Sequence, residues 1–95
     1  SEKISLFSLD QPNIVLETVK PAENGSRQEI VLRLYESMGT KTRARLNTSL
    51  PFDAAHRTNM LEDELEVLNF AGDNMILEFR PFEIKTIKLT IKRFD

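Results

Sequence analysis

One histidine and one run of carboxylates are the residues of this chain that are best suited to chemistry. His56 is the only histidine and cysteine is absent, whereas a protein zinc site usually needs three or four nitrogen, sulfur or carboxylate ligands. A triad built on His56 stays open, although the chain has no G-x-S-x-G nucleophile motif. We predict that His56 is an ordinary strand or loop residue and that the chain holds no catalytic, cofactor or metal site.

The carboxylate run comprises Glu62, Asp63, Glu64 and Glu66. Clustered carboxylates can bind calcium or act as a catalytic acid and base. This run lacks the alternating Asp or Asn positions and the central glycine of an EF-hand loop. We therefore predict that these four residues lie on a solvated loop.

The basic residues Lys41, Arg43 and Arg45 recur at every second position, which places them on one face of a strand. This stripe suits an anion or an acidic partner, a plain solvent face, or a surface where arginine stems cover apolar side chains of a neighbouring domain. Tyr35 is the one ring expected to be exposed, and a sugar-binding platform normally needs more aromatic surface than one ring supplies.

Composition argues against several classes of partner. The 95 residues fit a single domain, and 40% hydrophobic and 29% charged residues are ordinary for a globular protein. A net charge of −2 gives no basic field for a phosphate backbone. No apolar run approaches the roughly 20 residues that span a bilayer. We expect neither a nucleic-acid partner nor a membrane partner.

Three features bear on the origin of the chain. The absence of cysteine suits a reducing compartment, so we expect a cytoplasmic protein, with secreted and lysosomal locations left open. Two N-x-S/T triplets, at residues 24–26 and 47–49, are glycan acceptors only in a secretory context. The chain starts without methionine and without the shape of a signal peptide, so we expect a fragment of a longer protein.

The hydrophobic pattern predicts short strands throughout the chain. The cleanest is KTRARLNTSL at residues 41–50, where apolar or small side chains alternate with polar ones. Other such runs are ISLFSL, NIVLETVK, EIVLRLYES, NMILEFR and FEIKTIKLTIKR, with AHRTNMLED as a weaker one. Turn residues, most clearly Asn24-Gly25, separate the runs at intervals near ten residues. We predict an all-β fold, an antiparallel β-sandwich of about seven short strands, immunoglobulin-like in general architecture.

The stretch MLEDELEVLNF, at residues 60–70, has two interpretations. Leu61, Leu65 and Leu68 have helical spacing, which is typical of a short helix. The alternative is an acidic connection between strands. We favour a loop or a short edge strand, because the surrounding segments all show strand patterns.

The stretch RPFEIKTIKLTIK, at residues 80–92, changes its hydrophobic phase. Its apolar residues fall first on even positions, Phe82 and Ile84, and then on odd ones, Ile87, Leu89 and Ile91. A strand points successive side chains to opposite faces, so one flat strand with one buried face does not accommodate both sets. We predict a bulge, a bend or a crossing between sheets near residues 85–86.

Four stretches then point to a family. They are PNIVLETVKPAENG at residues 12–25, IVLRLYES at 30–37, LPF at 50–52 and RPFEIKTIKL at 80–89. In this order and separation they resemble the C-terminal β domain of glycoside hydrolase family 38 α-mannosidases. The resemblance covers the chain from about residue 6 to its end, with residues 53–73 matching only loosely.

The resemblance implies a non-catalytic role. Enzymes of that family are zinc-dependent retaining glycosidases that act on α-linked mannose, with the metal ligands and the nucleophilic aspartate in a large N-terminal catalytic domain. None of those motifs occurs here, so residues 1–95 are expected to form a single C-terminal accessory domain, with zinc held only in the parent's catalytic domain. Its expected partners are the other domains of the parent and the parent's carbohydrate substrate.

Two hypotheses follow for this chain. In the first, it is an accessory domain that contacts neighbouring domains of an α-mannosidase through the outward apolar residues Val31, Tyr35 and Ile76, since exposed apolar patches usually mark contacts. In the second, it is a free-standing carbohydrate- or protein-binding β-sandwich, because folds of this type host many unrelated functions.

Overall fold

Two antiparallel sheets pack face to face in the computed structural model, which describes residues 6–25, 27–61 and 63–92. The described residues form eight strands. In chain order they are β1 (Phe7–Leu9), β2 (Ile14–Asn24), β3 (Arg27–Glu36), β4 (Thr42–Thr48), β5 (Phe52–Thr58), β6 (Glu64–Val67), β7 (Asn74–Phe79) and β8 (Ile84–Ile91). Within the described ranges, no helix is long and apolar enough to cross a membrane.

Three of the strands form one sheet and five form the other. The smaller sheet has the order β1-β4-β7 and the larger one the order β2-β3-β8-β5-β6, with every neighbouring pair antiparallel. This arrangement confirms the predicted all-β sandwich. The strand beyond the predicted seven is β6, a four-residue edge strand, so of the two favoured interpretations of the acidic stretch, a loop or a short edge strand, the edge strand is correct for Glu64–Val67.

The core lies between the two sheets and is built by side-chain alternation. In β4 the burial pattern alternates strictly, with Ala44 and Leu46 buried and the arginines between and beside them exposed. That is the pattern predicted from the sequence. The core side chains that are almost inaccessible to solvent include Leu32, Leu34, Leu46, Phe79, Ile87 and Leu89. Both sheets contribute to this set, so each sheet buries its inner face by packing against the other.

One predicted strand begins elsewhere than expected, and another falls partly outside the described residues. The weak run at residues 55–63 is shifted, because β5 starts at Phe52 and ends at Thr58, and a turn follows at residues 60–61. In the first run, Phe7–Leu9 forms β1, while residues 4–5 lie outside the described residues. The predicted Asn24-Gly25 turn is confirmed, since Gly25 has a φ of 64° between β2 and β3.

The prediction of a bulge near residues 85–86 is wrong. β8 pairs with β3 in continuous register from Glu29↔Thr90 to Tyr35↔Ile84, without a shift. The phase change has another cause: Ile84 points to the outer face of the five-stranded sheet and is 62% exposed, while Ile87 points into the core. The irregularities that do occur lie in β2 and in β5 with its partner β6, while the residues of β8 pair with β3 without a break.

Candidate functional site

A row of ionisable side chains crosses the outer face of the five-stranded sheet. It joins Glu29 of β3, Lys88 of β8, His56 of β5 and Glu64 of β6. We call this set the ionic row. It exists because residues that face outward on successive strands come side by side in an antiparallel register. Lys88 stands opposite His56 on one side and opposite Val31 on the other.

Lys88 is the centre of the ionic row. Its Nζ lies 2.7 Å from Glu64 Oε2 and 3.7 Å from Glu29 Oε2, and the side chains of Lys88 and Glu29 are each only 8% exposed. Burial alone would lower the pKa of Lys88, but the hydrogen bond to Glu64 and the charges of Glu29 and Glu64 raise it overall. Lys88 therefore stays charged and neutralises the carboxylates beside it.

Glu64 contacts both Lys88 and His56. The hydrogen bond from Lys88 lowers the pKa of the Glu64 carboxyl, and this outweighs the opposing effect of burial. His56 Nε2 lies 3.4 Å from Glu64 Oε1. A carboxyl held ionised in this way is not suited to donate a proton to a leaving group, which requires a raised pKa.

The acidic run does not converge on one point. Glu64 faces Lys88 and His56, Glu66 Oε1 accepts a hydrogen bond from Arg57 Nε at 2.6 Å, and Asp63 Oδ2 accepts one from Asn59. Glu62 lies outside the described residues. The predicted solvated loop is wrong for Glu64 and Glu66, because both residues belong to β6. Among the residues that the structure describes, no group of three or more His, Cys, Asp and Glu side chains could hold a metal ion.

The basic stripe lies on the other side of the sandwich. Lys41, Arg43 and Arg45 are exposed, and the two arginines point outward from the three-stranded sheet. Arg43 stands opposite Glu78, and Arg45 stands opposite Ile76. The carboxylate of Glu78 beside Arg43 and the apolar Ile76 beside Arg45 give this face mixed polarity.

The predicted interdomain residues fall on two opposite faces. Val31 and Tyr35 point outward from the five-stranded sheet, whereas Ile76, 38% exposed, points outward from the three-stranded sheet. Val31 is only 4% exposed, because neighbouring side chains of the outer face cover it, and Tyr35 is half-buried. The contact of each residue with another domain stays a prediction, but the three do not form one patch. The prediction that Tyr35 is the exposed ring is wrong, because Tyr35 is half-buried and Phe82 is 67% exposed.

A buried carboxylate at the end of β3 was not predicted. Glu36 is 1% exposed, and its oxygens accept five hydrogen bonds, from Asn13 Nδ2 and from the backbone nitrogens of Met38, Gly39, Thr40 and Phe82. We call this set the Glu36 cradle. Burial would raise the pKa of Glu36, but the bonds from Phe82, Asn13, Met38 and Thr40 outweigh it and lower the pKa to about 2.

The Glu36 cradle is structural in character. Every donor is a backbone amide or an asparagine side chain of this chain, so the carboxylate fixes the turn after β3 and the turn before β8 in relation to each other. One sequence signal points to it. Glu36 follows Leu32 and Leu34 at the spacing that faces the core, and a charged residue in that phase needs strong hydrogen-bond partners.

The two glycan triplets have different places. Asn47 is exposed at the end of β4, and Ser49 after it is exposed as well. The triplet at residues 24–26 includes Ser26, which lies outside the described residues.

Comparison with known proteins gives consistent matches. A family model described as "Glycosyl hydrolases family 38 C-terminal beta sandwich domain" matches residues 13–87. Alpha-mannosidase 2C1 of Mus musculus is 36% identical over 91 residues, and that of Homo sapiens is 37% identical over 91 residues; each alignment covers 93% of this chain and 9% of the relative. Alpha-mannosidase of Saccharomyces cerevisiae is 29% identical over 97 residues, covering 81% of this chain and 9% of the relative. The chain thus spans about a tenth of the length of these relatives.

Proposed function

Because the chain belongs to the family of glycosyl hydrolase family 38 C-terminal β-sandwich domains, we propose that it is an accessory domain of a longer α-mannosidase and takes no part in bond cleavage. Residues 1–95 form one such domain in this proposal. The parent polypeptide hydrolyses α-linked mannose, as the names of the relatives indicate. The partners of the chain are then the other domains of the parent, which binds the carbohydrate.

The state of the ionic row is the observation that carries this proposal. A retaining glycosidase needs two carboxyl groups about 5 Å apart, one of them protonated and the other free to attack the sugar. Glu29 and Glu64 are instead bound to Lys88, and the pKa of Glu64 is lowered rather than raised. The carboxylates of the ionic row are therefore committed to ion pairs that hold the sheet face together.

The zinc of the parent belongs outside this chain in the same proposal. A catalytic zinc ion needs three protein ligands and an open position, and Glu64, the carboxylate beside His56, is bound to Lys88 instead. The residues described here do not offer the donor set that zinc requires. We assign the cytoplasm as the location of the parent, since the chain has no cysteine.

The experiment that tests the proposal uses the parent polypeptide and an aryl α-mannoside. Glu64→Gln and His56→Gln are compared with Glu66→Gln, a carboxylate two positions along the same strand that pairs with Arg57. We expect all three variants to keep kcat/KM within about two-fold of the wild type, because none of these groups acts on substrate. A loss of about 100-fold or more in Glu64→Gln or His56→Gln, with Glu66→Gln unaffected and all variants folded, would place catalysis in this domain.

A further inference from the structure

One end of the sandwich carries exposed apolar side chains from three segments. Met38, Phe82 and Ile84 are 71%, 67% and 62% exposed. Tyr35 of β3 stands opposite Ile84 of β8 on one side and opposite Val15 of β2 on the other. Val15, Tyr35 and Ile84 therefore point outward from the same face. We call these five residues the apolar end surface. None of the five carries a charge, whereas large exposed apolar groups of a monomer are usually scattered singly.

The backbone at Phe82 is strained, and the ring of Phe82 is exposed to solvent. Phe82 has a φ of 60°, in a region that a bulky residue rarely adopts and that strains the backbone. The Glu36 carboxylate holds this conformation through its bond from Phe82 N at 2.9 Å. A Cβ on Gly39 would lie 2.8 Å from the Phe82 ring, so the ring rests against a position where only glycine fits. The fold thus supports an aromatic ring in solvent that contributes nothing to its own core.

A second group of exposed apolar residues provides a contrast. Met60, Leu61, Leu65 and Val67 lie around the β5–β6 hairpin, where the acidic residues of the same segment interrupt them. The sulfur of Met60 also accepts a hydrogen bond from Arg33 Nη2 at 3.4 Å. An apolar partner would have to desolvate the carboxylates of this hairpin, whereas Val15, Tyr35 and Ile84 are direct cross-strand neighbours with no charged residue between them.

We propose that the apolar end surface docks on another domain of the same polypeptide. This inference rests on the proposed function, in which the chain is one part of a longer enzyme. The chain covers 9% of each relative, so about nine-tenths of a relative's length lies outside it and can supply the partner. Five side chains are too few for a dimer of free chains, which needs about 20–30 residues on each side. A tethered domain binds at an effective concentration near millimolar, so a smaller apolar contact is enough.

The chain offers a matched pair of reporters for this contact. Met38 lies in the apolar end surface and Met60 lies outside it, and their exposed fractions are similar, at 71% and 66%. Oxidation of methionine by hydrogen peroxide depends on exposure of the sulfur. The rates of oxidation of the two residues, measured by mass spectrometry in the isolated chain and in the parent polypeptide, give the coverage of each site.

We expect Met38 to be oxidised about five-fold or more slowly in the parent than in the isolated chain, and Met60 to differ by less than about two-fold. Ile84→Glu in the parent should restore the rate at Met38, because it places a charge in the contact. Ile76→Glu is the matched control, since Ile76 is also an exposed strand isoleucine but lies on the opposite face. It should leave the protection of Met38 intact.

Four results would overturn the inference. One is equal oxidation of Met38 in both forms. Another is protection that survives Ile84→Glu. Protection of Met38 in the isolated chain at high concentration, with a dimer in sedimentation, would assign the surface to a second copy. Protection of Met38 in the isolated chain by oligomannosides would assign it to a carbohydrate. If the parent fails to hydrolyse α-mannosides but Met38 is still protected in it and released by Ile84→Glu, the proposed function fails and the docking contact stands.

Discussion

The carboxylate of Glu36 accepts a hydrogen bond from the backbone nitrogen of Phe82 at 2.9 Å, across a sequence separation of 46 residues. The bond joins the end of β3 to the turn that precedes β8. A second link runs in parallel, since the backbone nitrogen of Glu36 donates to the carbonyl oxygen of Glu83 at 3.0 Å. These contacts bring together the two stretches of sequence, IVLRLYES and RPFEIKTIKL, that carry the family resemblance.

Glu36→Gln should destabilise the domain more than any exposed carboxylate substitution. Glutamine keeps the size of the side chain, but its NH2 group would meet backbone N–H donors that now point at a carboxylate oxygen. We expect the midpoint of thermal unfolding to fall by more than about 5 °C. Glu78→Gln, an exposed residue of β7, is the control and should shift it by less than about 2 °C. Equal midpoints for the two variants would refute a structural role for the Glu36 cradle.

The same carboxylate should make stability depend on acid pH. The pKa of Glu36 is about 2 in the folded chain, against an ordinary value of 4.5, so its contribution is full above about pH 4.5 and is lost as the pH falls towards 2. The difference in unfolding midpoint between wild type and Glu36→Gln should therefore shrink between pH 4.5 and pH 2. Glu64 and Glu83, whose pKa values are also lowered, leave the variant with some acid sensitivity of its own. A difference that is constant over this range would contradict the assignment.

Gly39→Ala should displace the Phe82 ring. The added Cβ would lie 2.8 Å from the ring, and Gly39 also has a φ of 75°. Gly72→Ala is the matched control, because Gly72 has a φ of 63° with open space around it. Both should lose about 1 kcal/mol of stability through backbone strain, but only Gly39→Ala should shift the ring resonances of Phe82 in NMR spectra. Unchanged Phe82 resonances would show that the ring does not rest on Gly39.

Two isoleucines of β8 should differ sharply in their effect on stability. Ile87 is fully buried in the core, whereas Ile84 is 62% exposed. We expect Ile87→Ala to lower the free energy of unfolding by about 2–5 kcal/mol and Ile84→Ala to change it by less than about 0.5 kcal/mol. Urea denaturation of both variants measures the difference. Similar losses would mean that Ile84 also packs in the core.

The fold could be predicted from alternation where one sheet face is covered and the other is solvated. β4 shows this, because its buried positions and its exposed positions alternate in the same order as its apolar or small residues and its polar residues. β8 does not, because an apolar residue is consistent with either face. Ile84 lies on the outer face in phase with Thr86 and Lys88, and the sequence does not tell which face is covered. Predicting a bulge there assumed that every isoleucine of the strand was buried.

The polar contacts depend on partners that are distant along the chain. Glu36 receives hydrogen bonds from Asn13 and Phe82, 23 and 46 residues away, and Lys88 meets Glu29 and Glu64 from strands on either side. Such contacts follow from strand order and register, which local periodicity does not specify. The sequence therefore identified the candidate residues His56 and Glu64, but not the lysine that neutralises the carboxylate.

The most direct test of the accessory role is the hydrolysis of an aryl α-mannoside by the isolated 95-residue chain, with zinc added and over a range of pH. The account predicts a rate that cannot be distinguished from that of buffer, at any concentration of the chain. Turnover that rises in proportion to the concentration of the chain, and that disappears in Glu64→Gln, would contradict it.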